Sequence, residues 1–483
     1  MTLCITIESS NAGKPGTPFD NLIVVKVEID PCDKDWDPVA KGVKNAAGAL
    51  VDETKITARA IPNDVKGKFT FTLTDVSDEP GYCLNAPIPV PLWGPDSDDW
   101  KDLQFKDPQT DTDFTVTGTY KDTASTKAAT FSEKTVTVNS FDYGAYGNIK
   151  VQFAVTSASG ETTIINGKET GGTAEFTNIP RDEDATPNHI RDGSPQNSGP
   201  NTSTAATDDT DDTPAGAADT SGDGITRYEE YRGFLVNGTH TRLDVTKKDV
   251  FVRNVDVADA GTSGYFTTTA LTAPVHAITD TEWKLATRVI NPNKGTAHGD
   301  DQQAIKVTDG GTSPDGIAQG QSMTTMDPWV PNHQVYCRVY VATIKKGTQV
   351  NKTGGISDTA ATIPVVDTTA YASSGTIIIE NEQITYKGKT ANSFTGCVRG
   401  ANLTTKAEHA NGVKVNFYVS EEEFIKRVFA HEAGHMVGLK DKPLTSKNIM
   451  SEPGERGVVL GNGFWDTFIG NASSLTAAFV VKE

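Results

Sequence analysis

The stretch FAHEAGHMVGLKDKPLTSKNIMSEPG, Phe429–Gly454, decides how the second half of the chain is read. It places His431, Glu432 and His435 in an H-E-x-x-H arrangement. Histidines one helical turn apart lie one above the other, so two imidazoles can grip one ion from the same face. Glu432 points along another heading. From there it can reach a water on the ion as general base without becoming a ligand. The helix is legible upstream as well. Ser420 and Glu423 form a capping box, and Glu421 and Glu422 add negative charge at the positive helix end. Phe424, Val428, His431 and His435 then share one stripe, which predicts that the apolar face and both histidines look inward together.

Downstream, Gly438 can adopt a positive φ and end the helix, turning the chain back toward the ion. Asp441 follows where a third ligand is needed, and Asn448-Ile449-Met450-Ser451 comes soon after. The run resembles the metzincin zinc proteases, whose pattern is H-E-x-x-H-x-x-G-x-x-H/D followed by a Met-turn. With Asp as third ligand it is similar to the snapalysin type. The resemblance implies an α+β catalytic domain in which His431, His435 and Asp441 bind Zn2+. It makes Glu432 the base and Met450 a hydrophobic floor. Glu455 has the gluzincin third-ligand spacing from His435 and stands as the alternative to Asp441. The implied activity is that of a zinc-dependent endopeptidase acting on a protein or peptide substrate.

A second metal motif lies in DTSGDGITRYEEYRGF, residues 219–234. Asp219, Ser221, Asp223, the Ile225 carbonyl and Glu230 fall at positions 1, 3, 5, 7 and 12 of an EF-hand-like loop, with Gly224 at the sharp turn. Ca2+ needs several oxygens at close range, and this spacing supplies them. RDEDATPNHIRD, residues 181–192, reads as a partial companion without the Gly and the final Glu. The calcium-type loop followed by a distant H-E-x-G-H helix also looks like a family of large bacterial proteins that join a β-domain, such a loop and a metzincin-like domain.

Working further outward, NLIVVKVEID, KITARAIP, KFTFTLTDV, TDFTVTGTY, KTVTVNSF and NIKVQFAV are short β-branched or aromatic runs separated by turn residues. They predict an all-β immunoglobulin-like sandwich over residues 1–157 and a β extension over 158–180. Residues 181–218 have almost no large apolar side chains and read as an acidic linker. KKDVFVRNVDV and HQVYCRVYVATIKKG predict core strands of a second domain, with a helix near 270–288 between them. Residues 219–359 and 418–483 are then two parts of the metzincin-like domain, and 360–417 a small all-β insertion. The insertion resembles a β-module of phage tail and virion proteins through Ser374-Gly375-Thr376, Glu382-Gln383-Ile384-Thr385-Tyr386, Phe394–Gly400 and His409. The resemblance implies a role in adhesion or assembly, with His409 belonging to the module rather than to a metal site.

The chain is therefore expected to be multidomain, as its 483 residues exceed one ordinary core. A net charge of -19 repels phosphate backbones, which excludes nucleic acid as a partner. No apolar run is long enough to span a membrane, so no membrane insertion is expected. MTLCITIESSNAGKPG has neither a basic nor an apolar signal region. The location read from these features is extracellular or at the cell surface, or alternatively within a virion. The five cysteines form no C-x-x-C pair; Cys32 and Cys83 either bridge or stay as buried free thiols. The rival to the enzyme is a structural or adhesive protein, self-assembling or bound to surface or virion partners, with a residual metal site.

Overall fold

The structure, a computed structural model, describes residues 4–6, 22–79, 81–85, 101–157, 160–197, 225–247, 249–257, 274–283, 305–314, 320–323, 336–369, 371, 373–417, 425–426, 428–429 and 431–432. Their regular structure is predominantly strand, in several sheets, with few and short helices. A multidomain, largely β chain is what forms; the α+β metzincin-like domain expected over 219–359 and 418–483 is not supported. The helix expected near 270–288 is a strand, Val275–Ile278, followed by a short helix, Asp280–Trp283. Val275 and Ile278 pair in a sheet, and ladder hydrogen bonds override the weak helical pattern.

The chain forms two compact units. The first comprises Met1–Asp208, Thr226–Leu235 and His240–Val245. It is built on two sheets. One runs in the order Thr162–Asn166, Gly147–Thr156, Lys68–Thr74, Thr123–Thr126 and Phe114–Thr117, with Thr177–Ile179 also pairing Gly147–Thr156. The other runs Lys168–Glu169, Lys26–Ile29, Glu53–Ile61, Glu133–Ser140 and Leu103–Phe105. The predicted runs become strands because their large residues alternate. Phe69, Phe71 and Leu73 turn inward from one strand, and Ile149, Val151 and Phe153 from its partner. In register, Phe69 faces Phe153 and Phe71 faces Val151, and the Phe69 and Phe153 rings sit 4.5 Å apart. Val27, Ile56, Val136 and Val138 supply the facing layer, so the sheets close on one core as a sandwich. Cys32 and Cys83 are buried free thiols, which settles their alternatives.

The helix Arg227–Arg232, expected in the second domain, packs within this first unit. Next to it, the His240 ring stacks on Tyr143 at 3.3 Å, and its Nε2 lies 2.8 Å from the Arg232 carbonyl, to which Nε2–H donates. Burial drives this imidazole down to about 3. The folded protein holds it neutral while the unfolded chain protonates it below its ordinary value, so its stabilisation is complete above about 6.5 and is lost as pH falls. Between pH 7 and 5 the wild type should lose about 2 kcal/mol more unfolding free energy than His240→Gln. Identical pH profiles in urea unfolding would refute this.

The second unit comprises Asp209–Ile225, Val236–Thr239 and Thr246–Glu483. Its mixed sheet has the order Val275–Ile278, Val250–Asn254, Ile305–Asp309, Tyr336–Val339 and Gly320–Met323. The first four strands are parallel, and Gly320–Met323 runs antiparallel at the edge. A separate β-module follows with its own core of Ile363, Ile377, Ile379, Ile384, Phe394 and Val415, which also takes in Val350 and Ile356. His409 is a structural residue of this module. Its two ring nitrogens each lie 2.8 Å from a carboxylate, Glu380 and Glu382. Arg399 grips Glu382 with Nε and Nη2 at 2.9 and 2.6 Å. Against the cost of burial, that guanidinium and His409 hold the Glu382 carboxyl below its usual range.

Candidate functional site

The chain at Ile425–Lys426, Val428–Phe429 and His431–Glu432 is helical. Ile425, Val428 and Phe429 are buried, and His431 and Glu432 retain only 7% and 6% exposure. The predicted inward stripe holds at Val428 and His431. A second stripe, Ile425, Phe429 and Glu432, is buried too, because apolar residues occupy both rows of this helix. Glu432 is therefore a buried carboxylate, not one on an open helix face.

Two residues far upstream in sequence define its surroundings. A methyl group built on Gly320 would come 2.5 Å from Glu432 Oε1 and 2.7 Å from Val428 Cγ1. The helix thus lies directly on the edge strand Gly320–Met323, and only glycine permits the approach. On the adjacent strand the Cys337 thiol lies 3.9 Å from the Phe429 carbonyl, to which it donates. Burial, then the nearby Glu432 charge, push this thiol well above its ordinary value, so it stays protonated and unreactive.

Of the predicted zinc residues, His431 and Glu432 are neighbours in this buried segment; His435, Asp441, Met450 and Glu455 lie outside the described residues, as does the capping box at Ser420–Glu423. Of the predicted calcium ligands, Asp219, Ser221 and Asp223 also lie outside. Ile225 is buried, and Glu230 is buried in the helix Arg227–Arg232, which Thr226 and Glu229 open with a complete capping box. In the companion stretch, carboxylate oxygens of Asp182, Asp184 and Asp192 come within 4.8 Å of one another. The Asp182 carboxylate accepts hydrogen bonds from the backbone N–H of Asp184, Asn188 and His189, so this turn is organised by its own chain.

No family model matches the chain, and no curated protein matches it. Among solved structures it is similar to a reeler domain of human F-spondin, with 10% identity and a TM-score of 0.18 over 32% of this chain and 86% of that one. It is similar likewise to the Reelin-N domain of F-spondin, with 10% identity and a TM-score of 0.18 over 33% and 86%. The regular structure of the described residues is mostly strand, with few and short helices, which overturns the resemblance to a metzincin-type protease. The bacterial multidomain family and the phage-tail-like insert fall with it. A motif of some two dozen residues carries only local information; it does not fix the sheets elsewhere in the chain.

Proposed function

We propose that the chain is a zinc-dependent peptidase in which Glu432 carries the proton. The observation that supports this reading is the joint burial of His431 and Glu432 on a helix seated against the Gly320 strand. A buried imidazole beside a buried carboxylate, within an H-E-x-x-H run, is donor chemistry that suits zinc. His431 and His435 would hold the ion, with Asp441 as third ligand. When bound, zinc supplies Lewis-acid polarisation of the scissile carbonyl and a water of lowered pKa. The Glu432 carboxylate accepts a proton from the attacking water and passes it to the leaving amine, so that an amide and a water become an acid and an amine. Calcium at the 219–230 loop is part of the same proposal, supported by the burial of its last ligand position, Glu230. The proposed location is extracellular or at the cell surface, a setting that suits the acidic charge; among the described residues no helix is long and apolar enough to cross a membrane.

The test is zinc content and cleavage of an unfolded protein substrate by the wild type and Glu432→Gln. Zinc retained without cleavage by either protein would overturn the enzyme and leave a structural protein with a residual metal site. Absence of zinc would overturn the site. A neighbouring variant probes the seat of the base. Gly320→Ala forces Glu432 aside, and a misplacement of about an ångström costs on the order of 10²-fold in rate. Cleavage should fall by about 10- to 100-fold with zinc content unchanged. Unchanged cleavage would show that Glu432 does not depend on this contact.

A further inference from the structure

A cavity of 540 Å³ opens in the first unit, where the strands Lys68–Thr74 and Gly147–Thr156 meet Thr177–Ile179 and the following loop. It lies in the size range of pockets that take small organic groups. Two features define its chemistry. One is aromatic: Tyr146 and His189 stack at 3.7 Å with a 14° tilt, and Phe176 also lines the space. The other is charge. Asp75 and Asp182 are the charged residues of the wall, with Asn148 and Asn178 beside them, and no lysine or arginine is among the lining residues. The field of further carboxylates, Glu79, Asp78 and Asp102, reaches Tyr146 and adds to burial in raising its phenol. Burial lowers the His189 imidazole, so it adds no cation near neutrality. Lys101, whose ammonium donates to the carbonyl of the lining residue Val76 at 3.2 Å, is also engaged with Asp78 at 2.7 Å. Arg181 is likewise held by Glu183.

Negative charge, aromatic faces and an absence of lining cations together select a positively charged organic group. An ammonium or guanidinium head loses less on leaving water when a ring face and carboxylates receive it. Anions are repelled by the same wall. Asp75 is exposed at the rim with φ 52°, and the Asn148 side-chain amide donates to it at 3.0 Å, which fixes the carboxylate in place. We propose that this pocket binds the cationic head of a lysine or arginine side chain, with Asp75 pairing the charge and the Tyr146–His189 stack receiving the ring-facing side.

The test is calorimetric titration of the full chain with Nα-acetyl-lysine amide, Nα-acetyl-norleucine amide and n-butylammonium. The lysine derivative should bind, the norleucine one should not, and raising salt to about 0.5 M should weaken binding. Butylammonium as tight as the lysine derivative would assign the pocket to free amines; weaker butylammonium would assign it to a peptide side chain. Asp75→Asn keeps the acceptor for Asn148 and tolerates the left-handed backbone, so the fold is retained. It should weaken lysine binding about threefold, and Tyr146→Leu about fivefold. Should Tyr146→Leu fail to fold, Asp75→Asn decides alone. No binding by the wild type, equal binding of the norleucine compound, or unchanged binding by Asp75→Asn would overturn the proposal.

Discussion

Replacing Glu432 by glutamine is expected to lower peptide cleavage about a thousandfold, within the range that a positioned general base supplies. Glutamine keeps the size and the acceptor oxygen of the side chain, so the contact with the Gly320 strand survives. It cannot take up a proton at the pH of the assay, so the step that needs a base is lost while the binding surfaces remain. The loss should therefore fall on kcat, with KM nearly constant. Bound zinc should be unchanged, because Glu432 is assigned to the proton and His431 to the ion. Stability should hold or rise slightly, since a neutral amide costs less to bury than the carboxylate, which is 6% exposed. Cleavage within a few-fold of the wild type would remove Glu432 from the reaction. Loss of zinc together with cleavage would instead make it a ligand.

The reach of sequence reasoning differs between the two halves of the chain. In the first unit the strands were legible because alternation is a local signal. Lys68–Thr74 and Gly147–Thr156 bury every second residue along their length. The strand Thr123–Thr126 was missed, since Thr-Ala-Ser-Thr carries no large side chain although Ala124 and Thr126 are buried. The membership of Arg227–Arg232 in this unit was also invisible: its anchor, Arg232, meets a carboxylate ninety residues earlier in the chain. In the second unit the H-E-x-x-H spacing marks a helix, and residues 425–426, 428–429 and 431–432 are helical. The same spacing implies a family that the mostly β architecture of the described residues does not support. Gly320 and Cys337, which pack against that helix, announce themselves only as a glycine and a cysteine in unremarkable strands. Their meaning is tertiary, and spacing alone cannot encode it.

Arg232→Met is expected to destabilise the first unit by about 3–5 kcal/mol, the cost of stranding a buried charge. Arg232 and Asp142 are both buried, with side chains 4% and 1% exposed. Its Nε lies 3.1 and 3.0 Å from the two Asp142 oxygens, and its Nη2 lies 2.7 Å from Oδ2 and 3.3 Å from the Gly81 carbonyl. The Gly144 N–H also donates to Asp142 at 2.5 Å, and the Tyr228 hydroxyl donates to the Gly144 carbonyl at 2.8 Å. One ion pair therefore fastens the helix Arg227–Arg232 to the loop after Glu133–Ser140. Asp102 sits in the same environment; burial and the Asp142 charge already raise its carboxyl well above the ordinary value, with Arg232 as the opposing influence. Methionine fills the arginine's volume but leaves Asp102 and Asp142 facing each other without a cation. With the opposing influence of Arg232 gone, Asp102 would bind its proton more readily still in the folded state. A carboxyl raised on folding adds stability below its unfolded pKa and loses it as pH rises, so the variant's deficit should narrow in acid. Urea unfolding at pH 7 and pH 5 checks both statements. Adding Asp142→Leu should recover most of the loss, since apolar replacement of a whole buried pair is often close to neutral. A single variant within 1 kcal/mol of the wild type at pH 7 would mean that packing, not this ion pair, holds the helix to the sandwich.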